Sequence, residues 1–115
     1  MRRGEVYWAG LDPRSGSEQR GRRPVIVLSH DAFNQTPRWK SVIVVPLSTS
    51  AAQATRGPTV VEIPAGTVGL VRASVAVCHQ VTTLDRGKLT RKAGVLLANL
   101  LREVEEAVKA AMDLP

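Results

Sequence analysis

Residues 97–112, LANLLREVEEAVKAAM, decide the fold class, because here alone the apolar residues recur at spacings of three and four. Leu97, Leu100, Leu101, Val104, Val108 and Met112 form one stripe, while Arg102, Glu103, Glu105, Glu106 and Lys109 take the other side. The pattern predicts an amphipathic helix from about Leu97 to Met112, with Glu105 and Lys109 set as a favourable i,i+4 pair. Upstream the pattern is of another kind. Short apolar runs rich in Val, Ile and Thr, bounded by Gly, Pro, Asn or Ser, occupy Glu5 to Leu11, Pro24 to Ser29, Ser41 to Leu47, Thr59 to Ile63 and Leu70 to Thr83. Several strands followed by one helix predict a mainly β protein: a small, mostly antiparallel barrel or curled sheet whose open face or edge the helix covers. The connections 12–23, 30–40 and 48–58 are polar and long for hairpins, and long loops on a small scaffold often carry function.

Composition narrows the class. The 115 residues have no internal repeat or linker and predict a single domain over 1–115. Aromatic residues make up only 3% of the chain, so the core falls to Val, Leu, Ile and Ala. No apolar run reaches the roughly 18–20 residues of a membrane span, and the start MRRGEVYW lacks the apolar stretch of a secretory signal, which predicts a cytoplasmic protein away from membranes. A lone cysteine, Cys78, excludes an internal disulfide and a multi-thiolate zinc site. His30 and His79, without a paired acid at ligand spacing, argue against a metal centre. Sixteen Lys and Arg against ten Asp and Glu give a net charge of +6, which favours a polyanionic partner, nucleic acid or acidic protein.

The residues that could carry chemistry lie where charge or hydroxyls meet the apolar runs. In GSEQRGRRPVIVLS (residues 16–29), Pro24 biases Arg23 towards an extended conformation, and Val25–Leu28 read as a strand buried on both faces. An arginine held at the mouth of such a strand suits phosphate, since its planar fork matches phosphate oxygens and its charge is permanent. The same residue would equally serve in a structural ion pair with Glu18 or Asp12. In VIVVPLSTS (residues 42–50), Pro46 lies in the apolar run and Ser48 and Thr49 follow it. Hydroxyls at such a strand end usually satisfy turn backbone. Placed beside Arg23, they would instead converge with a guanidinium on a phosphodiester. Trp39, between Arg38 and Lys40, is either a base-stacking ring or a cover for a sheet edge or dimer seam. Tyr7 and Trp8 read as core and interface, and Cys78 as a small buried hydrophobe. Arg86, Lys88, Arg91 and Lys92 form a solvated face or a track for RNA.

RGEVYWAGLDP, GSEQRGRRPVIVLS, VIVVPLSTS, AVCHQVTTLDRGKL and the closing helix, taken in order and at their spacings from Gly4 to about Leu114, resemble the PemK, Kid and MazF family of bacterial toxin endoribonucleases. The resemblance implies an SH3-like twisted β-barrel of about five to seven mostly antiparallel strands with a C-terminal helix, acting as a homodimer. It implies metal-independent, cofactor-free cleavage of single-stranded RNA at short motifs, and neutralisation by an acidic cognate antitoxin. By the same resemblance Arg23 falls on the family's catalytic arginine and Ser48 stands where a threonine is usual, with Thr49 beside it. Glu18 and Gln19 match S-E-Q, and Gln80 matches the family glutamine. His79 replaces an acid, which makes His79 and Glu18 the candidates for general base. Arg20, Arg22, Trp39 and Arg86 are then candidate RNA contacts. Two further readings follow from the same residues: a gyrase-poison-like toxin on this fold, and a basic module that binds nucleic acid without cutting it.

Overall fold

The structure, a computed structural model, describes residues 1–12, 21–55 and 57–115. Seven strands, β1 Glu5–Gly10, β2 Arg22–Val27, β3 Ser41–Ser48, β4 Val60–Ile63, β5 Ser74–Val77, β6 Thr82–Asp85 and β7 Leu89–Val95, are joined by two short helices, α1 Asp31–Asn34 and α2 Ala51–Ala54. The C-terminal helix, α3, is Ala98–Met112. All pairings are antiparallel, in the order β4-β5-β3-β2-β1-β7, with β6 added on β3. The sheet curls without closing, so "barrel" describes its curvature only.

The continuous apolar runs of β2 and β3 follow from burial on both faces. Val6, Ile26, Val45 and Leu47 point into one apolar cluster, shared with Val61, Ile63, Val104 and Ala107. Ala9, Val25, Val42 and Val44 point into a second, with Leu11 and Leu84. Alternate residues of one strand thus enter different cores, and the run has no polar face to show. The expected stretch Leu70 to Thr83 is divided. A 3-10 turn at Cys78–Gln80 lets β5 pair with the end of β3 (Leu47↔Ala76, Ser48↔Val75), while β6 pairs with its start (Ser41↔Asp85 to Val44↔Thr82).

Two elements differ from the sequence reading. β7 (LTRKAGV) is a strand that the sequence pattern does not mark, because an edge strand with exposed Arg91 and Lys92 lacks the apolar run of the others. In α3 the stripe is as expected, with Val104 and Ala107 buried and Leu100, Leu101 and Val108 packed beside them. The charged face pairs otherwise: Lys109 meets Glu106 at 3.3 Å, and Glu105 is taken by Arg3 of the N-terminal segment at 2.5 Å. That second pair fastens the helix to the start of the sheet.

Two close approaches fix the segment between β4 and β5 against β7. A Cβ on Gly94 would stand 2.7 Å from the carbonyl oxygen of Val68, and one on Gly69 (φ +73°) only 2.3 Å from that of Ala93. Only glycine allows backbone to meet backbone so closely. Val68 and Leu70 are thereby buried, while Val71 and Arg72 project into solvent.

Candidate active site

Strand register brings the first two candidates together. The β2–β3 ladder ends at Val25↔Pro46. Two residues further along each strand are Arg23 and Ser48, which therefore fall opposite one another on the same face. Both line an open cleft of about 420 Å³, together with Trp8, Arg22, Thr49, Arg72 and Arg91. Its walls are completed by Pro24, Leu47, Gly69, Leu70, Val71 and Ser74. Four guanidiniums and no carboxylate border it among the described residues, so the cleft is a site for anions. The shallower groove between β4 and α3, about 800 Å³, carries Glu103, Glu105 and Glu106 against one Arg102 and repels them.

Ser48 is buried, and its Oγ accepts a hydrogen bond from the Ser50 amide at 3.0 Å. The turn-satisfying role of the hydroxyl is thus present. It uses an oxygen lone pair and leaves the hydroxyl proton to be donated. Pro24 follows Arg23 within β2, and the strand behind it, Val25–Val27, is fully buried. Arg22 and Arg91 are exposed, with guanidinium carbons 6.0 and 5.9 Å from the centre of the Trp8 ring. The β1–β7 register Trp8↔Arg91 produces the second contact.

Other candidates lie elsewhere. His79 sits half-buried in the 3-10 turn after β5, the opposite end of that strand from the Val75 that pairs with Ser48. Its Nδ1 is 3.2 Å from Thr59 Oγ1, and the turn packs against α3. It does not line the Arg23–Ser48 cleft of its own chain, and neither does Gln80, which shares the turn. Trp39 stacks on Phe33, with centroids 4.6 Å apart. Arg86 donates to four backbone carbonyls: Nε to Trp39 at 2.9 Å, Nη1 to Asn34 at 2.8 Å, and Nη2 to Phe33 at 2.9 Å and Thr36 at 3.2 Å. Its donors hold the α1 corner, an arrangement that argues against the RNA contact expected of it. Glu18, Gln19 and Arg20 lie outside the described residues. Cys78 is buried, and burial pushes its thiol up to about 12, so it stays protonated and inert near neutral pH.

Of the cleft residues, sequence reasoning missed Arg72, read Trp8 as core and interface, and left Arg91 between a solvated face and a track for RNA. The Trp8–Arg91 contact needs the unrecognised strand β7, and Arg72 reaches the cleft only through the Gly69 and Gly94 contacts.

Comparison with known proteins identifies the family. Residues 2–112 match the model of the PemK-like, MazF-like toxins of type II toxin–antitoxin systems. The chain belongs to that family. It is 38% identical over 114 residues to endoribonuclease EndoA of Bacillus subtilis, covering 99% of this chain and 96% of the relative. It is also 38% identical over 112 residues to endoribonuclease MazF6 of Mycobacterium tuberculosis, covering 97% and 96%. Among solved structures, MazF from Deinococcus radiodurans superimposes with a TM-score of 0.81 at 27% identity, over 99% of this chain and 97% of the other. A MazE–MazF complex from the same organism does so with a TM-score of 0.76 at 26% identity, over 100% and 97%. This family member thus shares the fold of structures solved alone and with an antitoxin. Among its described residues no helix is long and apolar enough to cross a membrane.

Proposed function

We propose that this toxin is a metal-independent endoribonuclease acting on single-stranded RNA from the Arg23–Ser48 cleft. The observation that carries the reading is the meeting of a strand-anchored guanidinium and a hydroxyl with a proton to donate in a cleft whose charged lining, among the described residues, is all cationic. Binding a polyanion needs the charge alone. Stabilising a pentacoordinate phosphorane needs donors at fixed positions.

The reaction is internal transesterification. The ribose 2′-oxygen attacks its own phosphorus, the bond from phosphorus to the 5′-oxygen breaks, and the products carry a 2′,3′-cyclic phosphate and a 5′-hydroxyl. Arg23 and the Ser48 hydroxyl donate to the phosphoryl oxygens as their charge grows. The leaving 5′-oxygen takes a proton from water in the open, guanidinium-lined cleft, and the proton removed from the 2′-hydroxyl returns from the base to solvent. Of the two candidate bases, Glu18, five positions before Arg23 in the segment joining β1 to β2, takes the 2′-hydroxyl proton. His79, at the other end of β5, keeps its contact with Thr59. Arg22 and Thr49, on the cleft wall, hold the flanking strand, with Gln19 and Arg20 from the segment before β2. The toxin works as a cytoplasmic homodimer with one such domain over 1–115. An acidic antitoxin segment silences it by lying across the same guanidiniums.

The test is a long single-stranded RNA incubated with the protein in EDTA. Cleavage leaving cyclic phosphate and 5′-hydroxyl ends, with the DNA analogue uncut, is the expected result. Intact RNA at micromolar protein would overturn the reading in favour of a binding module or another toxin target. Loss of activity in Glu18→Gln, with His79→Asn active and its pH profile unchanged, is expected of the base assignment, and the reverse would exchange the two residues.

A further inference from the structure

The cleavage chemistry accounts for Arg23 and Ser48 but gives no task to Trp8. The ring is half-buried, its inner part packed on the cluster of Val6, Ile26 and Leu47 and its remainder lining the cleft. Pairing holds it on both sides, with Pro24 across β2 and Arg91 across β7, and Thr90 Oγ1 donates to its carbonyl at 3.2 Å. The backbone that carries the ring is therefore held by the sheet on both sides. Two guanidiniums lie within about 6 Å of its centre. That is the distance at which a cation is attracted to the face of an indole.

Arg22 and Arg91 have only this ring as side-chain partner among the described residues, and two like charges brought to one ring repel each other. Both are exposed, so solvent screens that repulsion, and an anion placed between them is attracted by both. A single-stranded nucleic acid supplies both things the arrangement lacks: phosphates for the guanidiniums and a flat apolar face for the indole. Val71, 92% exposed on the neighbouring cleft wall, adds apolar surface that none of the described residues covers.

We propose that Trp8 is a stacking platform for one nucleobase of the bound RNA, next to the phosphate held by Arg23 and Ser48, with Arg22 and Arg91 on the flanking phosphates. This rests on the ribonuclease reading and adds to it a subsite that anchors one nucleotide of the cleavage motif.

A short deoxyribo-oligonucleotide, which lacks the attacking hydroxyl, probes the subsite without turnover. The chain has two tryptophans, so a Trp39→Phe background leaves Trp8 as the only indole. The oligonucleotide should quench Trp8 emission, and quenching should vanish when one particular position is made abasic. With RNA, Trp8→Leu should raise KM roughly 5- to 150-fold with a smaller change in kcat, the range that one stacked base contributes. An RNA abasic at that position should be cut alike by wild type and Trp8→Leu. Should Trp8→Leu not fold, exposed Arg91→Ala should weaken binding and lower the salt slope by about 0.7. Oligonucleotide binding seen by anisotropy without quenching would overturn the proposal, as would an equal loss by Trp8→Leu on abasic and intact RNA. Quenching by an acidic peptide but not by the oligonucleotide would also overturn it, by giving the ring to a protein partner. Quenching in a protein that cuts no RNA would retain the subsite and remove the nuclease reading; cleavage without quenching would do the opposite.

Discussion

Two corners of this molecule are made from the same materials and do different things. At the cleft, Arg22 and Arg91 approach Trp8, and Arg23 stands across from Ser48. At the α1 corner, Arg86 approaches a stacked pair, Phe33 and Trp39, both still about half exposed. Charge and ring are present in each. The difference is in acceptors. Arg86 lies beneath a loop whose carbonyls at Phe33, Asn34, Thr36 and Trp39 turn inward and take its donors. Arg22 and Arg91 stand exposed on β2 and β7, and among the described residues their side-chain partner is the Trp8 ring, which takes no hydrogen bond from them in the plane of the guanidinium. A guanidinium is at the disposal of a ligand only where the backbone has not already satisfied it. Exchanging function for stability between the corners therefore requires no change of residue type.

The comparison predicts opposite signatures for two alanine substitutions. Arg23→Ala should lower RNA cleavage by about 10²- to 10³-fold, the usual consequence of losing one fixed donor to a charged transition state. Its melting temperature should fall less than that of Arg86→Ala. Equal cleavage by Arg23→Ala and wild type would break the assignment. Arg86→Ala removes four hydrogen bonds, although the Phe33 and Thr36 carbonyls keep the Thr36 and Trp39 amides, and should cost about 2 kcal/mol, discounted for the corner's partial exposure. That corresponds to a fall in melting temperature on the order of 10 °C, read by calorimetry. Cleavage well below the transition should persist. A variant that melts normally but binds RNA poorly would return Arg86 to the track along which RNA runs.

This contrast also marks how far the sequence can be read. Arg23 and Ser48 were legible because local features fix them: a proline beside each, and apolar runs that could only be buried strands. The helix was legible from its period alone. Arg86 and Arg91, by contrast, belong to one basic stretch, DRGKLTRK, and nothing in it separates them. Their fates are set by residues some 50 and 80 positions away, through the α1 carbonyls and the register of β7 on β1. His79 shows the same limit in reverse. Read as part of a continuous strand, it is a candidate for the site. The turn at Cys78–Gln80, which lets β3 serve two partners on one edge, carries it away.

The cleft wall should be more sensitive to packing than its exposure suggests. Gly94→Ala would place a Cβ 2.7 Å from the Val68 carbonyl, and backbone on both sides leaves little room to yield. A cost of about 2 kcal/mol is expected, in the range of overpacked cores. Arg72, which follows on the displaced wall, should then bind RNA less well, so KM should rise more than kcat falls. An unchanged KM together with unchanged stability would show that the wall is not fixed by this contact.

The smallest effect concerns the residue that keeps Lys92 from behaving like its neighbour Arg91. Glu5 is buried on β1, and its carboxylate receives the Arg2 amide at 2.7 Å, Tyr7 Oη at 3.1 Å and Lys92 Nζ at 2.7 Å. Burial alone would raise its pKa. The hydrogen bond from Lys92, with those from Arg2 and Tyr7 and the Lys92 charge, outweighs burial and holds the carboxyl below its ordinary value of 4.5. A carboxylate depressed in the folded state adds stability that is complete above its unfolded pKa and is lost as pH falls through the folded one. Glu5→Gln should therefore be less stable than wild type by about 1 kcal/mol at pH 7, a modest figure because Lys92 remains partly solvated and screened. The gap should close as the pH falls below about 4, the region where an ordinary glutamate takes up its proton. Urea melts between pH 7 and pH 3 measure it. A gap that stays constant across that range would mean that Glu5 acts by shape and not by charge, and that Lys92 is as available to RNA as Arg91.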